Sequence, residues 1–255
     1  QQEPLPPLPF PPSRQGRTAP SEQGIPISPN VFSSLSLLLD LTVRNIEKVV
    51  YFATYLITDA KTSEIEKMLE KLVESLRKAP VVKKGEYDYF VHGISDGVPA
   101  MDPAVLKEIA KVIDEILDLS KIDKIVGVEA MGIHIATALS LETGIPFIVI
   151  RKRQYGLPGE HEIVKSTGYA TSKLYINDLN EGDNILLVDD VVSTGGTLTA
   201  VINELKAIGV NLVDTVVVVE KGEGKGVVEE ATGEDIKTLV KLDVVDGKVV
   251  ADSLL

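Results

Sequence analysis

The chain of 255 residues carries 26 Lys and Arg against 38 Asp and Glu, a formal net charge of −12, and is 44% apolar and 25% charged. That length and balance suit one sizeable α/β domain or two small ones with a normal buried core, and the acidic surface argues against general nucleic-acid binding through phosphate contacts. The chain has no cysteine, which excludes disulfides, thiolate zinc sites and cysteine nucleophiles.

Residues 1–30 hold nine of the 14 prolines, at 4, 6, 7, 9, 11, 12, 20, 26 and 29. Such a segment cannot sustain a helix and buries little, so it is read as a disordered extension of polyproline character. Residues 31–67 are mixed. The run "VRNIEKVVYFATYLITDAK" fits one amphipathic helix, but no second helix and turn follow to make a helix-turn-helix. Histidines at 92, 134 and 161 lack metal-ligand spacing. No apolar run approaches the roughly 20 residues of a membrane span, and no basic-then-apolar leader is present. A cytoplasmic protein is expected.

From Met68 onward, strand-like and helix-like runs alternate, the pattern of a parallel sheet with crossover helices. "LEKLVESLRKA" predicts a helix, and "DPAVLKEIAKVIDEILDL" a second with Asp102 as N-cap and Pro103 at its first position. Strand "KIVGVEA", helix "GIHIATALSLETG" and strand "PFIVIRKR" come next. "QYGLPGEHEIVKSTGYATS" reads as a long polar connection, followed by strands "KLYIND" and "NILLVDD". Helix "GTLTAVINELKAIG" turns Leu198, Val201, Leu205 and Ile208 to one face. Strand "LVDTVVVVEKG" leads to "GEGKG", read as a turn, and the tail predicts a short hairpin about Asp246 and Gly247. The fold class expected is α/β: a parallel twisted sheet flanked by helices.

In open α/β sheets, ligands bind beyond the carboxyl ends of strands, where loops enter helices. Three loops qualify: 129–132 ("EAMG"), 151–160 ("RKRQYGLPGE") and 189–197 ("DDVVSTGGT"). In the third, Gly195 and Gly196 allow close backbone approach and positive φ. The amides opening the next helix would face an anion, and Ser193, Thr194 and Thr197 add hydroxyl donors. The lysine and spacing of a phosphate-binding Walker loop are absent. Asp189 and Asp190 at the mouth of an anion loop make sense if the ligand carries more than phosphate. Ribose hydroxyls donate to carboxylates, and Mg²⁺ accompanying a polyphosphate favours carboxylate oxygens, directly or through water. One such aspartate equally suits an N-cap; two in succession point to a ligand.

The run "LLVDDVVSTGGT" resembles the phosphoribosyl-diphosphate (PRPP) signature of the type I phosphoribosyltransferases. "VEAMGI" is similar to that family's diphosphate loop, and "RKR…LPGE" resembles the flexible loop of its adenine-specific members. The stretch from Met68 to the C-terminus, with "KKGEYDYFVHGISDGVPAMDP" and "EKGEGKGVVEE", resembles the archaeal hypoxanthine/guanine group. The resemblance implies the type I fold over residues 68–255, with a small hood of N- and C-terminal segments. It also implies a homodimer, with no nucleic-acid or membrane partner. The implied reaction moves the ribosyl 5-phosphate of PRPP to hypoxanthine or guanine, giving IMP or GMP plus diphosphate with Mg²⁺ bound.

Residue by residue, the resemblance assigns Ser193, Thr194, Gly195, Gly196 and Thr197 to the 5′-phosphate. Asp189 and Asp190 go to the ribose, with Asp190 as a catalytic residue. Diphosphate falls to Glu129, Ala130, Met131 and Gly132 with Arg151, Lys152 and Arg153. Asp189, Asp190 and Glu129 are the metal candidates, through water. A loop at 154–170 would close over the substrates, Glu160 would assist proton transfer, and Lys221 would donate to a purine O6. Simpler readings stand beside these: Glu129 as a carboxylate favoured at a helix N-terminus, Glu160 as part of a plain turn, Lys221 as solvated. Adenine or xanthine specificity is an alternative, as is a PRPP-sensing transcriptional regulator. The acidic balance and the three retained loops speak against the regulator.

Overall fold

The computed structural model describes residues 67–85, 87–167 and 170–254. The predicted extension over 1–30 and nearly all of 31–67 lie outside the described residues.

Helix α1 (Glu70–Arg77) buries Leu72, Val73 and Leu76. Its first amides, at Lys71 and Leu72, donate to the Glu108 carboxylate on the next long helix. Strands β1 (Val81–Lys84) and β2 (Tyr87–Phe90) pair as an antiparallel hairpin, and the short α2 (Gly93–Asp96) follows. Helix α3 (Pro103–Ile116) starts as predicted: Asp102 Oδ1 accepts from the Ala104 amide at 2.8 Å, and Pro103 takes the first turn. Then come β3 (Lys124–Val128), α4 (Gly132–Thr143), β4 (Phe147–Ile150), β5 (His161–Thr167) and β6 (Ala170–Ile176). The chain ends through β7 (Asn184–Val192), α5 (Gly196–Ile208), β8 (Asn211–Lys221), α6 (Gly224–Thr232), β9 (Lys237–Val245) and β10 (Lys248–Ser253).

The main sheet has six strands in the order β10-β9-β8-β7-β3-β4, parallel throughout except for β10. Its central strands are continuous apolar runs because both faces are covered. Alternation sorts their side chains into two cores. Ile125, Leu186, Val188, Val216 and Val218 pack with α1, α3 and α4 on one face. Val126, Val128, Ile185, Leu187 and Val217 pack on the other with Leu198, Val201 and Leu205 of α5 and Val228 of α6. No helix among the described residues is long and apolar enough to cross a membrane.

Four local expectations change. The stretch read as a long polar connection is a loop only to Glu160, after which β5 and β6 form an antiparallel hairpin. Ile163, Leu174, Tyr175 and Ile176 are its buried residues. No clean period of two marks it, because polar His161 and Lys165 share a face with Ile163 while apolar Val164 is exposed on the other. Strand β4 stops at Ile150, and the "RKR" that follows belongs to the loop. "GEGKG" is no simple turn, since Gly224 opens α6. The C-terminal hairpin does turn at Asp246 and Gly247, both at positive φ. Its strands, however, extend the main sheet, with Leu239, Val240, Leu242 and Ala251 fully buried.

Candidate active site

Strand β3 pairs with β7 only as far as Val188, and the chain then leaves β3 through residues 129–131. Strand β7 runs on to Val192, still paired with β8 on its other side. The last four residues of β7 therefore form an overhang facing the 129–131 loop, and a cavity of about 300 Å³ opens there. Glu129, Ala130 and Met131 line one side, Asp189 and Asp190 the floor, and Ser193, Thr194, Gly195 and Thr197 the other side. Of the three loops that the sequence singles out, 129–131 and 189–197 thus meet at one cavity, whereas the 151–160 loop does not line it. With β3 ended, both neighbouring carboxylates reach the open space although they are consecutive strand residues.

The helices divide by how they begin, and α1 and α6 lack a side-chain cap as well as the two that start at the 129–131 and 193–195 loops. α2 is capped by His92 and α3 by Asp102, whereas α4 and α5 begin without a side-chain cap. Their first amides are left for a ligand, and the helix dipole favours an anion. Gly132, opening α4, permits close approach to β7: a Cβ there would lie 3.0 Å from the Val188 carbonyl oxygen and 3.1 Å from Asp189 Oδ1. Gly195 adopts φ +77° at the N-cap of α5, where a Cβ would lie 2.8 Å from the Gly224 carbonyl oxygen. The Glu129–Ala130 peptide is cis.

Burial and the neighbouring Asp190 charge hold the Asp189 carboxyl well above the usual aspartate range. The Asp190 carboxyl is pushed up to about 6, chiefly by burial, with the negative charge of Asp96 adding to the effect. Asp189 Oδ1 accepts from the Asp190 amide at 3.0 Å. This carboxylate pair is costly to ionise without a cation or a hydrogen-bond donor in the cavity.

The 151–153 cluster does not act as one unit. Arg151 turns into its own loop: its guanidinium donates to Glu160 and to Asn177 Oδ1 and stacks 4.4 Å from the Tyr155 ring centroid. Lys152 and Arg153 are exposed. Glu129 Oε2 accepts from the Lys152 amide at 2.6 Å, linking the two loops. Glu160 is only 6% exposed and is not placed for proton transfer in the cavity. Besides Arg151, its carboxylate accepts from the amides of Tyr155 at 3.0 Å and Gly156 at 2.8 Å. Burial pushes that carboxyl up, but the two amides and the Arg151 guanidinium outweigh it and hold it below the usual glutamate range. Glu160 therefore clasps the 151–160 loop. Glu160→Gln is expected to speed trypsin cleavage after Lys152 and Arg153 several-fold with the rest of the chain intact; an unchanged cleavage rate would show that the clasp does not hold the loop.

Lys221 is likewise engaged elsewhere. It is 8% exposed, and its ammonium donates to the Tyr87 hydroxyl and, at 2.8 Å, to the Asp88 carbonyl. It also lies 3.8 Å from the Tyr87 ring centroid. With two of its three N–H donors used in this way, Lys221 fastens the β1–β2 hairpin to the end of β8. The Tyr87 hydroxyl in turn lies 3.5 Å from Ser193 Oγ. Burial raises the Tyr87 hydroxyl, but Lys221 and Ser193 together bring it below the usual tyrosine range.

The sequence reading missed the roof. Ser95 of α2 lines the cavity, and its hydroxyl donates to Asp96 Oδ2 at 2.7 Å. Tyr89 donates to Asp96 Oδ1, also at 2.7 Å. Burial and Asp96 push the Tyr89 hydroxyl up to about 12, so it stays a donor. A dense polar-aromatic stretch, "YDYFVHGISDG", was the available signal.

The phosphoribosyl transferase domain family matches residues 101–241. The hypoxanthine/guanine phosphoribosyltransferase of Methanobrevibacter ruminantium is 81% identical over 188 residues, spanning 74% of this chain and 100% of that protein. The enzyme of the same name from Methanothermus fervidus is 59% identical over 182 residues, 71% of this chain and 96% of that one. Among solved structures, adenine phosphoribosyltransferase from Thermoanaerobacter pseudethanolicus superposes with a TM-score of 0.56. It is 21% identical, covering 67% of this chain and 98% of its own, a likeness of fold.

Proposed function

The chain belongs to the phosphoribosyl transferase family, and on that premise we propose that it converts PRPP and hypoxanthine or guanine into IMP or GMP and diphosphate. The observation that carries this reading is the 81% identity to a hypoxanthine/guanine enzyme along that protein's whole length.

Each part of the cavity has work in that reaction. The amides and hydroxyls of 193–197 hold the 5′-phosphate, and the amides opening α4 with the 129–131 loop hold the diphosphate. Asp189 and Asp190 accept the ribose hydroxyls and stabilise positive charge building on the sugar as its C1–O bond lengthens. Holding both ends of the sugar leaves C1 open to the purine nitrogen. Exposed Lys152 and Arg153 offer charge to the departing diphosphate as the 151–160 loop folds over it, and the closed loop excludes water. The roof of β1, β2 and α2 shelters the base.

Among the described residues, no three His, Asp or Glu side chains are arranged to hold a metal by themselves. Two carboxylates facing an open cavity suit a hard cation that keeps several waters and arrives with the diphosphate. Asp189, Asp190 and Glu129 would hold Mg²⁺ through those waters, and the ion would neutralise charge on the leaving group. Work in the cytoplasm as a homodimer completes the proposal.

Incubating the protein with PRPP, Mg²⁺ and each of hypoxanthine, guanine, adenine and xanthine, and following diphosphate release, tests the reading. Turnover is expected with the first two. Adenine or xanthine as the only substrate would overturn the specificity, and no turnover with any base would overturn the activity.

A further inference from the structure

The sequence gives Lys165 no role of its own within the 154–170 stretch expected to close over the substrates, yet the fold brings it to the phosphate loop. Strand β5 docks on α5 through Ile163, which is 1% exposed and packed with Leu198, Val201 and Ile202. Alternation turns residues 161, 163 and 165 to the same side. His161 Nδ1 lies 3.8 Å from Glu204 Oε1, two helical turns along α5. Moving from His161 to Lys165 therefore moves back along the helix to its first turn, where the Lys165 ammonium donates to Thr197 Oγ1. The buried Ile163 fixes this register, so the placement of Lys165 is no accident of a flexible side chain.

The chemistry of the cavity leaves a need that this cation meets. The loop's own donors from Ser193 to Thr197 are all neutral, being amides and hydroxyls. The same space is bordered by Asp189, Asp190 and Glu129. A phosphate dianion entering it meets like charge with no formal positive charge on the loop to offset it. A hydroxyl that accepts from an ammonium must also point its own hydrogen elsewhere. Thr197 lines the cavity, so the bond from Lys165 turns that hydroxyl into a polarised donor toward whatever the cavity holds.

Resting on the PRPP reading of this cavity, we propose that Lys165 is a positioning residue for the 5′-phosphate: it fixes Thr197 as a donor and supplies the positive charge that the loop lacks. The hairpin of β5 and β6 is then part of the substrate site, not only a cover for α5.

The test uses the full chain and three proteins: wild type, Lys165→Met and Lys165→Arg. Steady-state turnover is measured with hypoxanthine and varied PRPP, and ribose 5-phosphate and diphosphate are titrated separately as inhibitors. Lys165→Met is expected to raise the PRPP KM and the ribose 5-phosphate Ki about 10- to 100-fold, the worth of a charge-assisted hydrogen bond. The diphosphate Ki and hypoxanthine KM should stay within about twofold, and kcat should change less than the PRPP KM. Lys165→Arg should recover most of the loss. Wild-type turnover together with an unchanged ribose 5-phosphate Ki in Lys165→Met would overturn the role of Lys165 and leave the PRPP reading standing. Equal weakening of both inhibitors would also overturn it, as general damage does not discriminate between them. No turnover and no inhibitor binding by the wild type would overturn the PRPP reading, and this proposal with it.

Discussion

Asp190→Asn is expected to lower kcat/KM for PRPP by about a hundred- to a thousand-fold while leaving the protein more stable than the wild type. The loss follows from position. Asp190 stands on the β7 overhang at the floor of the cavity, where an amide keeps the shape but gives up the charge that opposes the developing cation on the sugar. An activity within threefold of wild type would remove Asp190 from the ribose site.

The gain in stability comes from the raised pKa of Asp190, and its sign is fixed by linkage. An ordinary aspartate titrates near 3.8, while Asp190 in the fold is pushed up to about 6. Between those values the native state holds more protons than the unfolded chain, so wild-type stability falls as pH rises through this window and levels off above it. Asparagine does not titrate. The variant should match the wild type near pH 4, pull ahead between pH 4 and 6, and keep a constant lead above that. The lead is on the order of 2 kcal/mol, or about 5 °C in Tm for a domain of this size. Thermal melts of both proteins across that range check it. A lead that shrinks with rising pH would mean that Asp190 is stabilised, not strained, by its surroundings. Function thus keeps a charge where the fold alone would not.

The parts of the site that lie on one continuous run were legible in the sequence. "LLVDDVVSTGGT" carries strand, carboxylates, glycines and helix start in one line, and the structure sets Asp189 through Gly195 and Thr197 around one cavity. Glu129 to Met131 were legible for the same reason, because a strand end and a helix start bracket them. The illegible parts depend on contacts between distant segments. Nothing local says that Glu160 closes its own loop on Arg151, or that Lys221 faces Tyr87, 134 residues earlier. A lysine after four valines and a glutamate reads as a strand-end cation, and only the packing of the β1–β2 hairpin decides what it meets. Lys165 was hidden by a different cause. In "HEIVKST" the face toward α5 is polar at His161 and Lys165 while apolar Val164 faces out, so the alternation that would have revealed a strand is broken.

Gly224 is the second position with a large expected effect, and it explains why "GEGKG" matters although it matches no phosphate motif. Gly224 opens α6, and a Cβ there would overlap the carbonyl group of Ser193. On the same contact, a Cβ at Gly195 would lie 2.8 Å from the Gly224 oxygen and 2.9 Å from Val228 Cγ2. The backbone of the phosphate loop therefore rests directly on the first turn of α6, with no room for a side chain between them. Gly224→Ala must push Ser193 toward the cavity. A shift of about 1 Å in groups that position a substrate costs on the order of a hundred-fold, so kcat/KM for PRPP should fall by about that factor. Forced overpacking should also lower stability by about 1–3 kcal/mol. Gly226→Ala provides the contrast on the same helix. A Cβ there meets no heavy atom within 4 Å, and alanine suits a helix interior better than glycine by about 0.5–1 kcal/mol. That variant should keep its PRPP KM and melt slightly higher. If both alanine variants lost activity alike, general weakening of α6 would be the cause; a loss confined to position 224 identifies the loop-to-helix contact as what holds the phosphate site in place.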